Sequence, residues 1–206
     1  MENSKVAGSR LTDTASEGYT DRLRRLSGSR WKQVINVQAP YQWNLRRLAL
    51  GKTLDIGCGI GRNWRSFGSG SVGTDHNEHS VAYCNEQGFE AHTPDDFFKK
   101  FSPESVSFDS LLIAHVFEHL TAEQDLGILH QYLPYLRSGG RVVIITPQEA
   151  GYASDASHVE FMPFEKVAQI VGKAGLKVEK HYSFPFPRPV GKVFKYNEFV
   201  FVAKKP

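Results

Sequence analysis

The segment Thr53-Leu54-Asp55-Ile56-Gly57-Cys58-Gly59-Ile60-Gly61-Arg62-Asn63 constrains this chain more than any other. An apolar run carrying one acid ends in three glycines at alternate positions, and a helix is predicted to start after them. Glycine at such a bend lets the backbone approach a ligand with no Cβ in the way. The N–H groups that open the following helix then face that ligand. A second acid, Asp75, closes the next apolar run, Ser71-Val72-Gly73-Thr74, eighteen residues after Gly57. At a neighbouring strand tip, that spacing suits a hold on a ribose.

The glycine spacing discriminates between nucleotide-like ligands. Dinucleotide sites read G-x-G-x-x-G. Here the third glycine comes one place early, giving G-x-G-x-G. Asp55, ahead of the first glycine, would repel a pyrophosphate and suits a ligand with a cationic ammonium group.

The 206 residues fit one domain of ordinary size, and 40% apolar content supplies a core. No apolar run approaches the ~18 residues that span a bilayer, so no membrane span is expected. The N-terminus has no apolar core of the secretory type, so export is not expected. Cys58 and Cys84 are the only cysteines. Two unlinked thiols suit a reducing, cytoplasmic setting. A formal charge of +3 asks for no polyanionic partner. The sequence sets no oligomeric state.

Residues 1–30 are rich in Ser, Thr, Gly, Arg and acids and read as a flexible polar arm, basic through Arg22, Arg24, Arg25 and Arg30. Such an arm is either solvated or folds over an anionic substrate. Residues 31–206 read as the folded domain. From Trp31 to Leu48 the pattern predicts two short helices broken at Pro40. Asn77 is predicted to cap a helix that ends at Gly88. Thr121 and Gln124 form a capping box for a helix to Arg137, with Leu126, Leu129, Leu133 and Leu136 inward. Another helix is expected from Pro163 to Ala174. Strands are predicted at 53–56, 71–74, 90–92, 108–114, 141–146, 176–183 and 198–203. The run Arg141-Val142-Val143-Ile144-Ile145-Thr146 is apolar on both faces, as in parallel sheets covered by helices. Alternating strands and helices give a doubly wound α/β sheet. The last two strands have no helix between them and are expected to form an antiparallel pair. Phe184 and Phe186, among three prolines, either roof a pocket or simply join two strands.

The glycine segment resembles motif I of the class I S-adenosylmethionine-dependent methyltransferases, and Asp75 resembles their ribose-binding acid. Further pieces agree: the turn Leu136-Arg137-Ser138-Gly139-Gly140-Arg141, the strand end Thr146-Pro147 and the run Ala174-Gly175-Leu176-Lys177-Val178. The resemblance covers about Trp31 to Lys204. It implies a Rossmann-like sheet of seven mostly parallel strands with the last one antiparallel, and S-adenosylmethionine as cofactor. Asp55, Gly57, Cys58, Gly59 and Gly61 would hold the methionine part and Asp75 the ribose. His76 would neighbour the adenine, with Asp95 or Asp96 near its amine. Ala114 and His115 would sit beside the sulfonium.

His115, Glu118 and His119 are closely spaced, and His158 follows. The H-x-x-E-H spacing of inverzincin proteases is rejected, because it needs one continuous helix and His115 ends an apolar strand. Some O-methyltransferases carry Glu-x-x-Glu-His at this place and a later His, which together hold a divalent ion. Glu118, His119 and His158 resemble the last three of these, with His115 in the place of the first Glu. That replacement favours Zn or Mn over Mg. In metal-free relatives the same Glu-His pair only caps the next helix. The expected activity is methyl transfer to a small-molecule acceptor, with oxygen as the acceptor atom and His115, His119 and His158 as the catalytic candidates. The alternatives are a nucleic-acid methyltransferase using the basic arm, or a nucleotide-dependent oxidoreductase. Nucleic acid is not expected as a partner: Ala114-His115-Val116-Phe117 stands where base methyltransferases carry Asn/Asp-Pro-Pro-aromatic.

Overall fold

The computed structural model describes residues 38–206. The arm expected over 1–30, and the turn of helix expected at Val34 and Val37, lie outside them. Seven strands form one sheet: β1 (Thr53–Ile56), β2 (Val72–Thr74), β3 (Ala91–His92), β4 (Phe108–Ala114), β5 (Leu136–Pro147), β6 (Lys177–Phe184) and β7 (Glu198–Lys204). Their order is β3-β2-β1-β4-β5-β7-β6. Neighbours run parallel from β3 to β5, and β7 is antiparallel to both β5 and β6. This is the expected doubly wound α/β architecture, with its order reversing at β1/β4, where open sheets bind ligands beyond the strand ends.

Six helices accompany the sheet: α1 (Ala39–Leu48), α2 (Glu78–Glu86), α3 (Pro94–Lys100), α4 (Ala122–Tyr132), α5 (Glu149–Tyr152) and α6 (Phe164–Lys173). On one face Leu54, Ile56, Leu111, Ile113, Val142 and Ile144 meet α4 and α6 through Leu129, Tyr132, Val167 and Ile170. On the other, Leu112, Val143, Val200 and Val202 meet Leu45 and Leu48 of α1. The central strands are thus buried on both sides, which is why their sequences show no alternation.

Several expected boundaries shift, for identifiable reasons. Pro40 stands in the first turn of α1, where its missing N–H costs nothing. The fourth helix stops at Tyr132 and not Arg137, because Pro134 forces the chain into a 3₁₀ turn, Leu133–Tyr135. Leu129 and Leu136 are buried in the core and Leu126 and Leu133 pack against it, as the leucine spacing predicts, and Asp125 and Tyr132 of the helix are buried with them. β5 begins at Leu136, and its register with β4 is irregular between Phe108 and Ser110. The largest difference follows β1. No α-helix forms there, only turns and a 3₁₀ turn at Trp64–Ser66. Gly61, Gly68 and Gly70 leave no stretch able to sustain α-helix before β2. Trp64 instead stacks on Phe89 at 4.9 Å.

The capping box of α4 is complete: the Thr121 hydroxyl accepts from the Gln124 N–H, and the Gln124 side chain accepts from the Thr121 N–H. Thr121→Ala removes half of it. The expected loss is about 1 kcal/mol, a fall in melting temperature of about 2–4 °C in a domain of this size, to be read by thermal denaturation.

Candidate active site

The glycine bend is built by β1 and held by β2. Gly57, Gly59 and Gly61 all adopt positive φ, at 74°, 51° and 71°. A Cβ on Gly57 would lie 2.3 Å from Val116 Cγ2, so only glycine fits there. The N–H groups of Gly57 and Cys58 both donate to the Thr74 carbonyl, at 2.8 and 3.0 Å. Asp75 Oδ2 accepts from the Gly59 N–H at 2.7 Å, and its Oδ1 from the Asn77 N–H at 2.9 Å. Asp75 therefore braces the loop from within. The loop amides of Gly57, Cys58, Gly59 and Gly61 are satisfied by the protein itself, whereas the sequence had suggested that amides opening a helix would face the ligand.

Asp55 is fully buried, and neither of its carboxyl oxygens has a hydrogen-bond partner. Desolvation, and then the nearby Asp75 charge, push its pKa up to about 7. An unpaired buried carboxyl under a ligand loop is costly unless a cation approaches it. Cys58 and Cys84 pack together beneath the loop as free thiols, and the Cys84 thiol reaches the Gly59 carbonyl at 3.2 Å. His76 lies exposed beside Asp75, and Asp95 is exposed in the first turn of α3, so both stand at the same edge of the sheet without facing inward.

The second half of the site lies at the tip of β4. After Ala114 the chain enters His115 at φ 59°, a left-handed conformation rare outside glycine and common at functional sites. That turn starts the 3₁₀ segment Phe117–His119. The Glu118 carbonyl accepts from the N–H groups of Val159 and Glu160, which draws the loop carrying His158 onto β4. Oxygen and nitrogen atoms of Glu118, His119 and His158 then lie within 4.8 Å of one another. His119 Nδ1 donates to the Ser157 carbonyl and His158 Nδ1 to the Tyr152 carbonyl. A carbonyl only accepts, so in each neutral ring Nε2 carries the lone pair. Desolvation lowers the His119 pKa and keeps that ring neutral. Glu118 Oε2 is buried with no partner.

His115 stands outside this cluster. Its Nδ1 contacts Glu118 Oε1 at 3.1 Å and its Nε2 contacts Glu198 Oε1 at 2.9 Å. Desolvation pulls its pKa down, but the two carboxylates outweigh it and hold the imidazolium well above the usual histidine range. With both nitrogens engaged, the ring has no lone pair for a proton or a metal. The side chain is 48% accessible, so solvent or a ligand reaches the ring that the two acids hold. His115 is thus held between two acids, apart from the cluster of Glu118, His119 and His158.

Two further acids escape sequence reading. Glu198, at the start of β7, reaches the site only through the antiparallel return of the chain. Asp125 is buried on α4 without partners, and desolvation, then Glu160 and Glu118, push its pKa up to about 8. Its one local signal is its place four residues after the Thr121 cap, on the helix face that turns inward.

An open α/β sheet with a glycine bend, a buried acid below it and a polar cluster at the neighbouring strand tip defines a nucleoside-cofactor transferase. Residues 54–144 match the family model described as "Methyltransferase domain". That stretch is a methyltransferase domain, and the fold around it is the one that S-adenosylmethionine-dependent methyltransferases share. The oxidoreductase alternative falls with that match. The fold is shared with a SAM-dependent methyltransferase from Archaeoglobus fulgidus (20% identity, 84% of this chain and 97% of that one, TM-score 0.63). It is shared with magnesium protoporphyrin IX methyltransferase from Synechocystis PCC 6803 with bound SAH (13% identity, 97% and 100% covered, TM-score 0.68). N-methyltransferase NodS from Bradyrhizobium japonicum WM9 is also similar (16% identity, 82% and 96% covered, TM-score 0.61). No curated protein matches the chain significantly.

Asp55 gives a test of the buried-acid geometry. Its carboxyl titrates ordinarily at 3.8 and in the fold at about 7. The folded protein thus holds this proton more tightly than the unfolded chain. Stability from this group is complete below about pH 4 and is lost as pH rises through about 7. Asp55→Asn is expected to stabilise the cofactor-free protein above pH 7 by a few kcal/mol, at about 1.4 kcal/mol per pKa unit, and so to raise its melting temperature. The difference from wild type should vanish near pH 4 in a pH series of thermal melts.

Proposed function

We propose that this protein moves the methyl group of S-adenosylmethionine to an oxygen of a small-molecule acceptor. Asp55 would face the cofactor's ammonium group, and the bend from Gly57 through Cys58 and Gly59 to Gly61 would take its methionine part. Asp75 keeps acceptor capacity on a carboxylate that already braces the loop, and would meet the ribose. His76 and Asp95 flank the adenine side. Ala114 and His115 border the reacting methyl. The unpartnered Asp55 carboxyl under a glycine-only backbone is the feature that fits a cationic cofactor. Two proteins of similar fold, a magnesium protoporphyrin IX methyltransferase and a plantazolicin methyltransferase, support a small acceptor. Two buried free thiols agree with a reducing, cytoplasmic setting, and no helix of the described residues is long and apolar enough to cross a membrane.

The donor cluster carries the assignment to oxygen. One carboxylate and two imidazoles are the ligand set of an open catalytic site for Zn or Mn, and the buried, unpartnered Glu118 Oε2 fits that use. A metal bound there would act as a Lewis acid that lowers the pKa of an acceptor hydroxyl. The rest of the chemistry is positioning. In-line transfer gains ~7–11 kcal/mol from holding nucleophile and methyl aligned. His115 serves this by fixing Glu118 Oε1, which leaves Oε2 turned to the cluster, and by tying β4 to β7 through Glu198. The Tyr152 and Ser157 carbonyls hold the two imidazoles in the tautomer a metal needs.

The expected outcomes separate the two parts. Calorimetry with S-adenosylhomocysteine should show binding that Asp55→Asn weakens. Zn or Mn should raise the melting temperature of wild type and not of His119→Ala or His158→Ala, while S-adenosylhomocysteine binding stays. Methyl transfer by either variant should drop by at least about tenfold. Full transfer in a chelator, with no metal in the purified protein by elemental analysis, would remove the metal from the reading.

A further inference from the structure

Large apolar side chains left open to solvent are not scattered over the described residues. Four of the six, Trp43 (54% exposed), Phe186 (48%), Val193 (84%) and Tyr196 (44%), lie on α1 and on the loop between β6 and β7. Ring contacts join these two segments. Trp43 stacks on Phe184 at 6.4 Å, Phe184 meets Tyr41 edge-on at 5.8 Å, and the Tyr41 hydroxyl donates to the Tyr196 carbonyl. Phe194 bridges Tyr196 and Phe186 at 5.6 and 5.5 Å. The result is one continuous aromatic rim at the carboxyl edge of the sheet, on the side where His115 meets Glu198.

The rim is basic as well. Residues 38–49 and 185–197 contain no acid and carry Arg46, Arg47, Arg188, Lys192 and Lys195. Arg188 is committed to Glu149. The Arg47 guanidinium lies 5.0 Å from the Trp43 ring and the Lys195 ammonium 4.9 Å from that of Tyr196. The display is fixed by the fold. Buried Asn197 donates to Gln148 Oε1 at 3.1 Å, and its own Oδ1 accepts from the Phe186 N–H at 2.9 Å.

Apolar tips among aromatic rings that carry cations match the boundary of an anionic bilayer: indole and phenol rings at headgroup level, cations at the phosphates. A second copy of this chain fits poorly, since a two-fold contact would set this basic surface against itself. A stacked small ligand also fits poorly at Trp43, whose faces already meet Arg47 and Phe184. We propose that this rim docks the protein on an anionic lipid surface, with Val193 and Phe186 entering the headgroup boundary and Lys192 and Lys195 meeting lipid phosphates.

The test is co-sedimentation of the full chain with vesicles of phosphatidylcholine alone and of phosphatidylcholine mixed with phosphatidylglycerol. Binding is expected to the mixed vesicles only, weakening as salt rises. Lys192→Ala and Lys195→Ala should each weaken partitioning about fivefold, and Val193→Asp should abolish it. Val178→Asp, on an exposed valine at the far end of β6, should leave binding unchanged, with melting curves showing that each variant folds. The proposal is overturned if phosphatidylglycerol adds no binding or if Val193→Asp binds as wild type does. It is equally overturned if light scattering shows a dimer that Val193→Asp dissociates, or if an acidic protein, and no vesicle, occupies the rim. Vesicle binding needs no cofactor, so its failure leaves the methyl-transfer reading intact, and the reverse holds too.

Discussion

The cofactor end of this protein depends on one carbonyl and one carboxylate. Thr74 and Asp75, at the tip of β2, accept the amides of Gly57, Cys58 and Gly59. Because no helix follows β1, the rest of the bend is fixed only by short turn bonds such as Gly61 N–H to the Cys58 carbonyl. Three residues in left-handed conformations would otherwise have wide freedom, glycine losing more entropy on ordering than any other residue. The clamp also sets a charge problem. Asp75 is held beside Asp55, and two buried acids destabilise each other until a cation arrives. The same contacts that shape the loop therefore create its preference for a positive ligand.

A second clamp governs the other end. His115 is strained in its backbone and charged in its ring, and both properties follow from its place between Glu118 and Glu198. The strain turns the chain sharply off β4, so that Glu118 and His119 fold back toward the loop bearing His158. The charge neutralises two carboxylates that would repel each other across the β4–β7 gap. With Asp125 also buried nearby, the region concentrates acidic groups where a cation, fixed or bound, is needed to balance them.

Much of this was legible in the sequence because it is local. A glycine bend, an acid ending the next strand and a capping box are each written within a few residues, and all were found where expected. Continuous apolar strands gave the sheet, and the missing helix before the last strand gave its reversal. What stayed hidden was either weak propensity or long-range pairing. The helix after Gly61 failed for lack of helix-forming residues, which the motif pattern does not count. Glu198 meets His115 across eighty-three positions, a contact that only the closed topology creates. The leucine spacing of α4 marks its apolar face, but it does not show that the acid Asp125 is buried beside it.

The Gln148–Asn197 pair gives one further result. Both side chains are fully buried, and between them they bond the two ends of the β6–β7 connection to the end of β5. Gly191 reinforces this, since a Cβ there would collide with the Gln148 side chain. This connection is consequently a wall and not a flap. Any swing of this segment would have to break buried hydrogen bonds that are costly to leave unmade.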